Sequence, residues 1–140
     1  MISAADLAAL DVPGPTVSAL SAPFWEAADS GRLLVQHCKA CDYAFLYPRR
    51  ICPRCWSDDL NWREAAGRAI LKTCSTIFKP GHPGWQPAAP YSIGIVALEE
   101  GPTLLTHLRV DPENLAADMQ LRVVFMNIGG RTLPCFESAP

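Results

Sequence analysis

Several absences narrow what this chain can be. None of its 140 residues belong to a run approaching the roughly 20 apolar residues that span a bilayer as a helix. The first residues carry neither the basic start nor the long apolar core of a secretory leader. There is no basic surplus: 12 Lys+Arg stand against 14 Asp+Glu, a formal charge of −2, which is little to neutralise a phosphate backbone. Histidine is scarce. His37, His82 and His107 fall on three separate segments, and no local Ser-His-Asp or Cys-His arrangement is readable. The expectation is a cytoplasmic protein with no membrane contact and no catalysis of its own.

Cysteine is what the chain does have. Cys38-Lys39-Ala40-Cys41 is followed, ten residues on, by Cys52-Pro53-Arg54-Cys55. A two-residue gap lets both thiolates of a pair reach one ion from a single turn, and two such pairs complete a tetrahedral sulfur shell. The spacing predicts a metal held by Cys38, Cys41, Cys52 and Cys55. Zn²⁺ is the expected occupant, though the same cage holds iron in rubredoxin-type sites, so the spacing leaves iron open. A zinc closed by four thiolates has no open position to activate water. His37 is expected beside the site without ligating it. The remaining thiols, Cys74 and Cys135, are expected to be buried and free.

Residues 1–20 are rich in Ala, Ser, Pro and Gly and are expected to form a loose tail, an arm clasping a partner being the sharper alternative. Residues 21–66 read as a short helix carrying Phe24-Trp25, closed by Gly31, and then a zinc ribbon. Asp58 to Ala66 reads as a linker in which Trp62 packs ribbon onto barrel. Residues 67–140 hold five β-rich runs: 68–78, 91–99, 103–110, 120–127 and 132–137. A short helix-prone insertion, Asp111 to Asp118, separates the third from the fourth. The fold class expected is mainly β, an N-terminal short helix and zinc ribbon followed by five strands that suit a small OB-fold barrel, other small β-barrels staying open, with two largely separate cores. Lys79 to Pro90, with four prolines and two glycines, is expected to lack regular structure.

The order of parts resembles the domain-of-unknown-function family thirty-five. The resemblance is carried by the Phe-Trp helix, Gly31-Arg32-Leu33-Leu34-Val35, the two knuckles, Pro90-Tyr91-Ser92-Ile93-Gly94-Ile95-Val96, and Leu133-Pro134-Cys135-Phe136. It covers residues 22–137. Members join a rubredoxin-like zinc ribbon to an OB-fold. The family often places Gly after each knuckle and near the start of the fourth run, where this chain has Asp42, Trp56 and Asp118-Met119-Gln120. The resemblance implies a non-catalytic subunit associated with an acyl-CoA-processing enzyme of lipid or steroid metabolism. That enzyme would be a thiolase-like thiolase or aldolase, or a hot-dog-fold enoyl-CoA hydratase, with acyl-CoA itself a candidate ligand.

Aromatic anchors dominate interfaces, so Phe24, Trp25, His82 and Trp85 are the expected contacts with that partner or with acyl-CoA, Trp25 and Trp85 facing outward. His107 is expected at the surface. Two rival readings stand beside this one. Lys39, Arg49, Arg50 and Arg54 surround Tyr43, Phe45 and Tyr47, which imitates a nucleic-acid platform, although the net acidic charge argues against it. Iron in the cage would instead make a rubredoxin-like electron carrier.

Overall fold

The computed structural model describes residues 1–140. Its two α-helices are short, and neither is long and apolar enough to cross a membrane. Helix α1 spans Ala4–Ala8, capped by Ser3, whose hydroxyl accepts from the Asp6 N–H at 3.1 Å. Helix α2 spans Ala22–Asp29, with Pro23 in its first turn, where no backbone donor is needed. It ends in crossed bonds, from the Gly31 N–H to Ala28 O and from the Arg32 N–H to Ala27 O, which satisfy its last carbonyls.

Strands β1 (Leu34–Cys38), β2 (Ala44–Phe45) and β3 (Leu60–Glu64) form an antiparallel sheet with β1 in the centre. The segment read as a linker is therefore mostly a strand. β2 pairs with only two residues of β1, so the backbone groups along the other edge of β1 are met by β3, in register from Leu34 opposite Glu64 to Cys38 opposite Leu60.

Strands β4 (Arg68–Ile77), β5 (Tyr91–Leu98), β6 (Thr103–Leu108), β7 (Gln120–Ile128) and β8 (Arg131–Ser138) close a barrel in the order β4-β5-β6-β8-β7. Only the β6–β8 pairing is parallel. This is the OB arrangement. Gly94 in β5 has a packing reason: a Cβ there would lie 2.8 Å from Leu108 Cδ1 and 2.9 Å from Leu71 Cδ1, inside the barrel. Lys79 to Pro90 is more ordered than its prolines suggest, because Pro83–Ala88 form a 3₁₀ helix. The insertion before β7 holds one 3₁₀ turn, Pro112–Asn114.

The expected pair of separate cores is a single shared one. Phe24 of α2, with Leu33 and Val35 of the ribbon, joins Leu71, Val96, Leu108, Leu121 and Phe136 of the barrel in one buried cluster, and Trp62 packs partly buried against it. Residues 1–20 are not loose either. Leu7 (0 % exposed) and Leu10 (6 %) pack on the outside of the barrel against Ala88, Ile128 and Cys135 in a second cluster. Ile2 and Val12 pack partly buried beside them, so a few apolar side chains dock the arm although they set no long periodic pattern. The arm lies so close to the 3₁₀ helix that a Cβ on Gly84 would clash with the Asp11 carbonyl. Arg109 Nη2 donates to the Ile2 carbonyl at 2.9 Å and ties down its start.

Candidate metal centre and apolar groove

Each knuckle is built by the same backbone bonds. The Cys38 N–H donates to Tyr43 O and the Asp42 N–H to Cys38 O; likewise the Cys52 N–H donates to Ser57 O and the Trp56 N–H to Cys52 O. The turn requires a left-handed residue after the second cysteine. Asp42 (φ 65°) and Trp56 (φ 68°) adopt it without being glycine. Asp118, near the third missing glycine, does the same at φ 63°. Asp tolerates this backbone readily and Trp does not, so Trp56 carries local strain.

The turns bring all four cysteines together. Their Sγ atoms lie within 4.8 Å of one another, with 3.5 Å between Cys38 and Cys55 and 3.6 Å between Cys41 and Cys52. A tetrahedron with metal–sulfur bonds of about 2.3 Å has edges of about 3.8 Å, so the cage fits a single thiophilic ion. Burial and neighbouring thiols push Cys41 up to about 12. Burial opposes ionisation of Cys52 too, yet N–H groups of Cys55 and Arg54 pull it down to about 7. A thiophilic cation in the cage would draw off the thiol protons.

His37 is buried beside this cage and is not a ligand. Its ring nitrogens meet Asn61 Oδ1 at 3.0 Å and the Asp42 carboxylate. That hydrogen bond and the charge of His37 hold the Asp42 carboxyl below its usual range. The effect is to brace the first knuckle against β3.

A second feature opens between α2, the ribbon and the barrel: an apolar groove of about 580 Å³. Phe24, Trp25 and Trp85 all line it, so three of the four expected contact residues converge. His82 does not join them. It is exposed, and its Nδ1 accepts from the Gly84 N–H at 3.0 Å to start the 3₁₀ helix. Trp25 and Trp85 are half-buried in the groove walls rather than facing outward. Trp85 packs at a tilt against Tyr91 (centroids 5.0 Å apart) and stacks on His107 (6.1 Å).

His107, expected at the surface, is 9 % exposed. The alternation along β6 does put it outside the barrel, but the 3₁₀ helix and the arm cover that side. Burial first, then the charge of Arg109, lowers its pKa to about 4. Cys135 is buried and pushed up to about 12 by that burial, whereas Cys74 is exposed on β4; both are free. The exposed groove residue Leu105 escaped the sequence reading, and Tyr47 was read only as part of the aromatic and basic platform of the ribbon. Leu105 did leave a signal, since it puts a leucine on the polar side of an alternating strand.

Two cysteine knuckles on a three-stranded sheet, joined to a closed barrel in OB order, define a metal-ribbon and OB-fold protein. Two family profiles match the corresponding parts: the rubredoxin-like zinc ribbon domain of ChsH2 over residues 25–61, and the C-terminal OB-fold domain of ChsH2 over residues 62–126. The chain belongs to this DUF35 family of ChsH2-type proteins. Among solved structures it is similar to a chain of the Ltp2-ChsH2(DUF35) aldolase, with a TM-score of 0.80 and 31% identity, covering 91% of this chain and 100% of that one. A DUF35 domain-containing scaffold protein of Methanocaldococcus jannaschii is 30% identical over 99 residues, 69% of each chain. A probable enoyl-CoA hydratase alpha subunit of Thermomonospora curvata is 32% identical over 129 residues, 91% of this chain. The chain spans only 40% of that subunit's length.

Proposed function

We propose that this chain is a non-catalytic subunit that joins an acyl-CoA-processing enzyme, of the thiolase-like aldolase or hydratase kind, and holds one Zn²⁺ as a structural ion. The observation that carries this reading is the likeness, over the whole of that chain, to a component of the Ltp2-ChsH2(DUF35) aldolase. Cys38, Cys41, Cys52 and Cys55 would hold the ion, whose contribution is to fix the ribbon and not to activate water. No histidine is hydrogen-bonded to a nucleophile: His37 is engaged by Asn61 and Asp42, His82 by its own loop, and His107 has no hydrogen-bond partner at either ring nitrogen.

The partner edge runs along α2 and the groove, where Phe24, Trp25 and Trp85 meet. Exposed Tyr47 extends the aromatic surface onto the ribbon. The basic cluster is partly engaged internally, which weakens the nucleic-acid reading. Lys39 pairs with Asp59 at 4.0 Å, and the Arg54 guanidinium lies 5.5 Å over the Tyr43 ring. Arg49 and Arg50 remain exposed for acidic groups on a partner or the phosphates of CoA. The purified, metal-loaded chain is expected to show no thiolysis, hydration or retro-aldol turnover on acyl-CoA substrates. Turnover by the isolated chain would refute the non-catalytic assignment.

A further inference from the structure

The knuckle end of the ribbon holds a residue that folding does not explain. Trp56 follows the second knuckle at φ 68°, a left-handed backbone that glycine adopts freely and tryptophan only with strain. Nothing within the chain offsets that strain, since the indole is 77 % exposed and joins neither buried cluster. A strained residue without a folding reason points to function. Its surroundings are basic. Tyr43 to Ser57 contains Arg49, Arg50 and Arg54 and no acid. All three arginines are exposed, and none forms an ion pair. The Arg54 guanidinium lies over the exposed Tyr43 ring, which orders it and leaves its N–H donors for another group. These side chains do not serve the cage: the one arginine atom bonded to a cage sulfur is the Arg54 backbone nitrogen, 3.4 Å from Cys52 Sγ. Elsewhere the sign reverses. Setting the three aside from the 12 Lys+Arg leaves nine cations against 14 acids. Asp42, Asp58 and Asp59 border the segment, Asp42 engaged by His37 and Asp59 by Lys39.

We infer that this end of the ribbon is a protein-docking surface, in which Trp56 enters an apolar pocket of the partner and Arg49, Arg50 and Arg54 meet carboxylates around that pocket. Tryptophan, tyrosine and arginine are the residues that dominate the energetic centres of interfaces, and an indole gains most where a concave apolar wall desolvates it. Carboxylates suit the site better than a nucleic-acid backbone, whose phosphates would also run against the acidic remainder of the chain. The surface is distinct from the groove, whose lining includes neither Trp56 nor the three arginines. The inference rests on the reading of this chain as a subunit of a protein complex, and it adds a second contact to the edge along α2.

The test uses the protein that co-purifies with the tagged, metal-loaded full chain from its native host, identified by mass spectrometry, purified and remixed with the chain. In calorimetry Trp56→Gly should weaken this pair about thirtyfold or more, although the variant is itself no less stable. Trp56→Asn, which also tolerates a left-handed backbone, should weaken it as much, showing that the lost indole and not a loosened loop is the cause. Arg49→Glu combined with Arg50→Glu should slow association about tenfold at about 50 mM salt and far less at about 500 mM. Affinity unchanged by Trp56→Gly would overturn the inference and leave the enzyme-subunit reading standing if the partner is thiolase-like or a hydratase. A partner of another kind that loses affinity with Trp56→Gly would support the inference and overturn that reading. Recovery of nucleic acid alone, or of no partner, would overturn both.

Discussion

The ribbon and the barrel are stabilised by different means. The barrel buries aliphatic and aromatic side chains such as Leu71, Val96, Leu108, Leu121 and Phe136. Half of the ribbon's own buried residues are polar or thiol: Gln36, His37, Cys38 and Cys52, beside Leu33, Val35, Phe45 and Ala65. Gln36 exchanges two bonds with the Arg49 backbone (2.7 and 3.0 Å) and so pins the chain entering the second knuckle, while His37 braces the first. A region of this size and composition does not bury enough apolar surface to fold unaided, and the metal must supply the difference. Yet the two regions are not independent, because Leu33 and Val35 enter the barrel's cluster. The comparison teaches that metal loss should unfold the ribbon first and weaken the barrel second.

Cys52→Ser should give the largest effect. Structural zinc sites are worth on the order of 10 kcal/mol of folding free energy. Elemental analysis should fall from one equivalent of metal to below half. Hydrogen exchange should show β1–β3 unprotected while β5 and β7 keep reduced protection. An unchanged barrel melting temperature would mean that the shared core contributes little.

The arm should respond next. Leu7→Ala removes a fully buried side chain, and such changes cost about 2–5 kcal/mol where the site cannot collapse. Calorimetry should show a lowered melting temperature, with faster exchange in residues 4–10. No change in either would restore the picture of a loose tail.

Acidity should discriminate more finely. The unfolded chain carries an ordinary histidine near 6.5, whereas folded His107 sits at about 4, so the unfolded state binds more protons between these values. Stability from this group is complete above about pH 6.5 and declines towards pH 4, by at most about 1.4 kcal/mol per pH unit. Relative to the unaltered chain, His107→Phe should melt with a shallower pH dependence in that window. Identical profiles would contradict the burial of a neutral ring.

The smallest effect concerns Trp56. Glycine at this left-handed position relieves about 1–2 kcal/mol of backbone strain and gives back about 0.4–1 kcal/mol in unfolded-chain entropy. Trp56→Gly should therefore raise ribbon stability by at most about 1.6 kcal/mol in chemical denaturation. A loss of stability would mean that the indole, although 77 % exposed, packs usefully on the knuckle.

Legibility in the sequence followed the range of the interaction concerned. Ligand spacing is local, and Cys38, Cys41, Cys52 and Cys55 could be read from it together with the turns around them. Alternation placed all five barrel strands within a few residues of their ends. What escaped depends on contacts between distant segments. His107 alternates as an outward residue, and only the approach of Trp85, Tyr91 and the arm buries it. Cys74 was expected buried because thiols usually are, but its side of β4 faces solvent. His82 and Trp85 share one loop, yet the 3₁₀ turn sends Trp85 to the groove and leaves His82 outside.

The central claim is that this chain works as a metal-held subunit joined to an acyl-CoA enzyme. Affinity capture of the tagged full chain from its native host, with mass-spectrometric identification and stoichiometry of what co-purifies, tests it most directly. The account predicts a thiolase-like or hot-dog-fold enzyme subunit in near-equimolar amount, reduced when Trp25→Ala is the bait. Recovery of nucleic acid, of ribosomal or transcription proteins, or of the chain alone would contradict it.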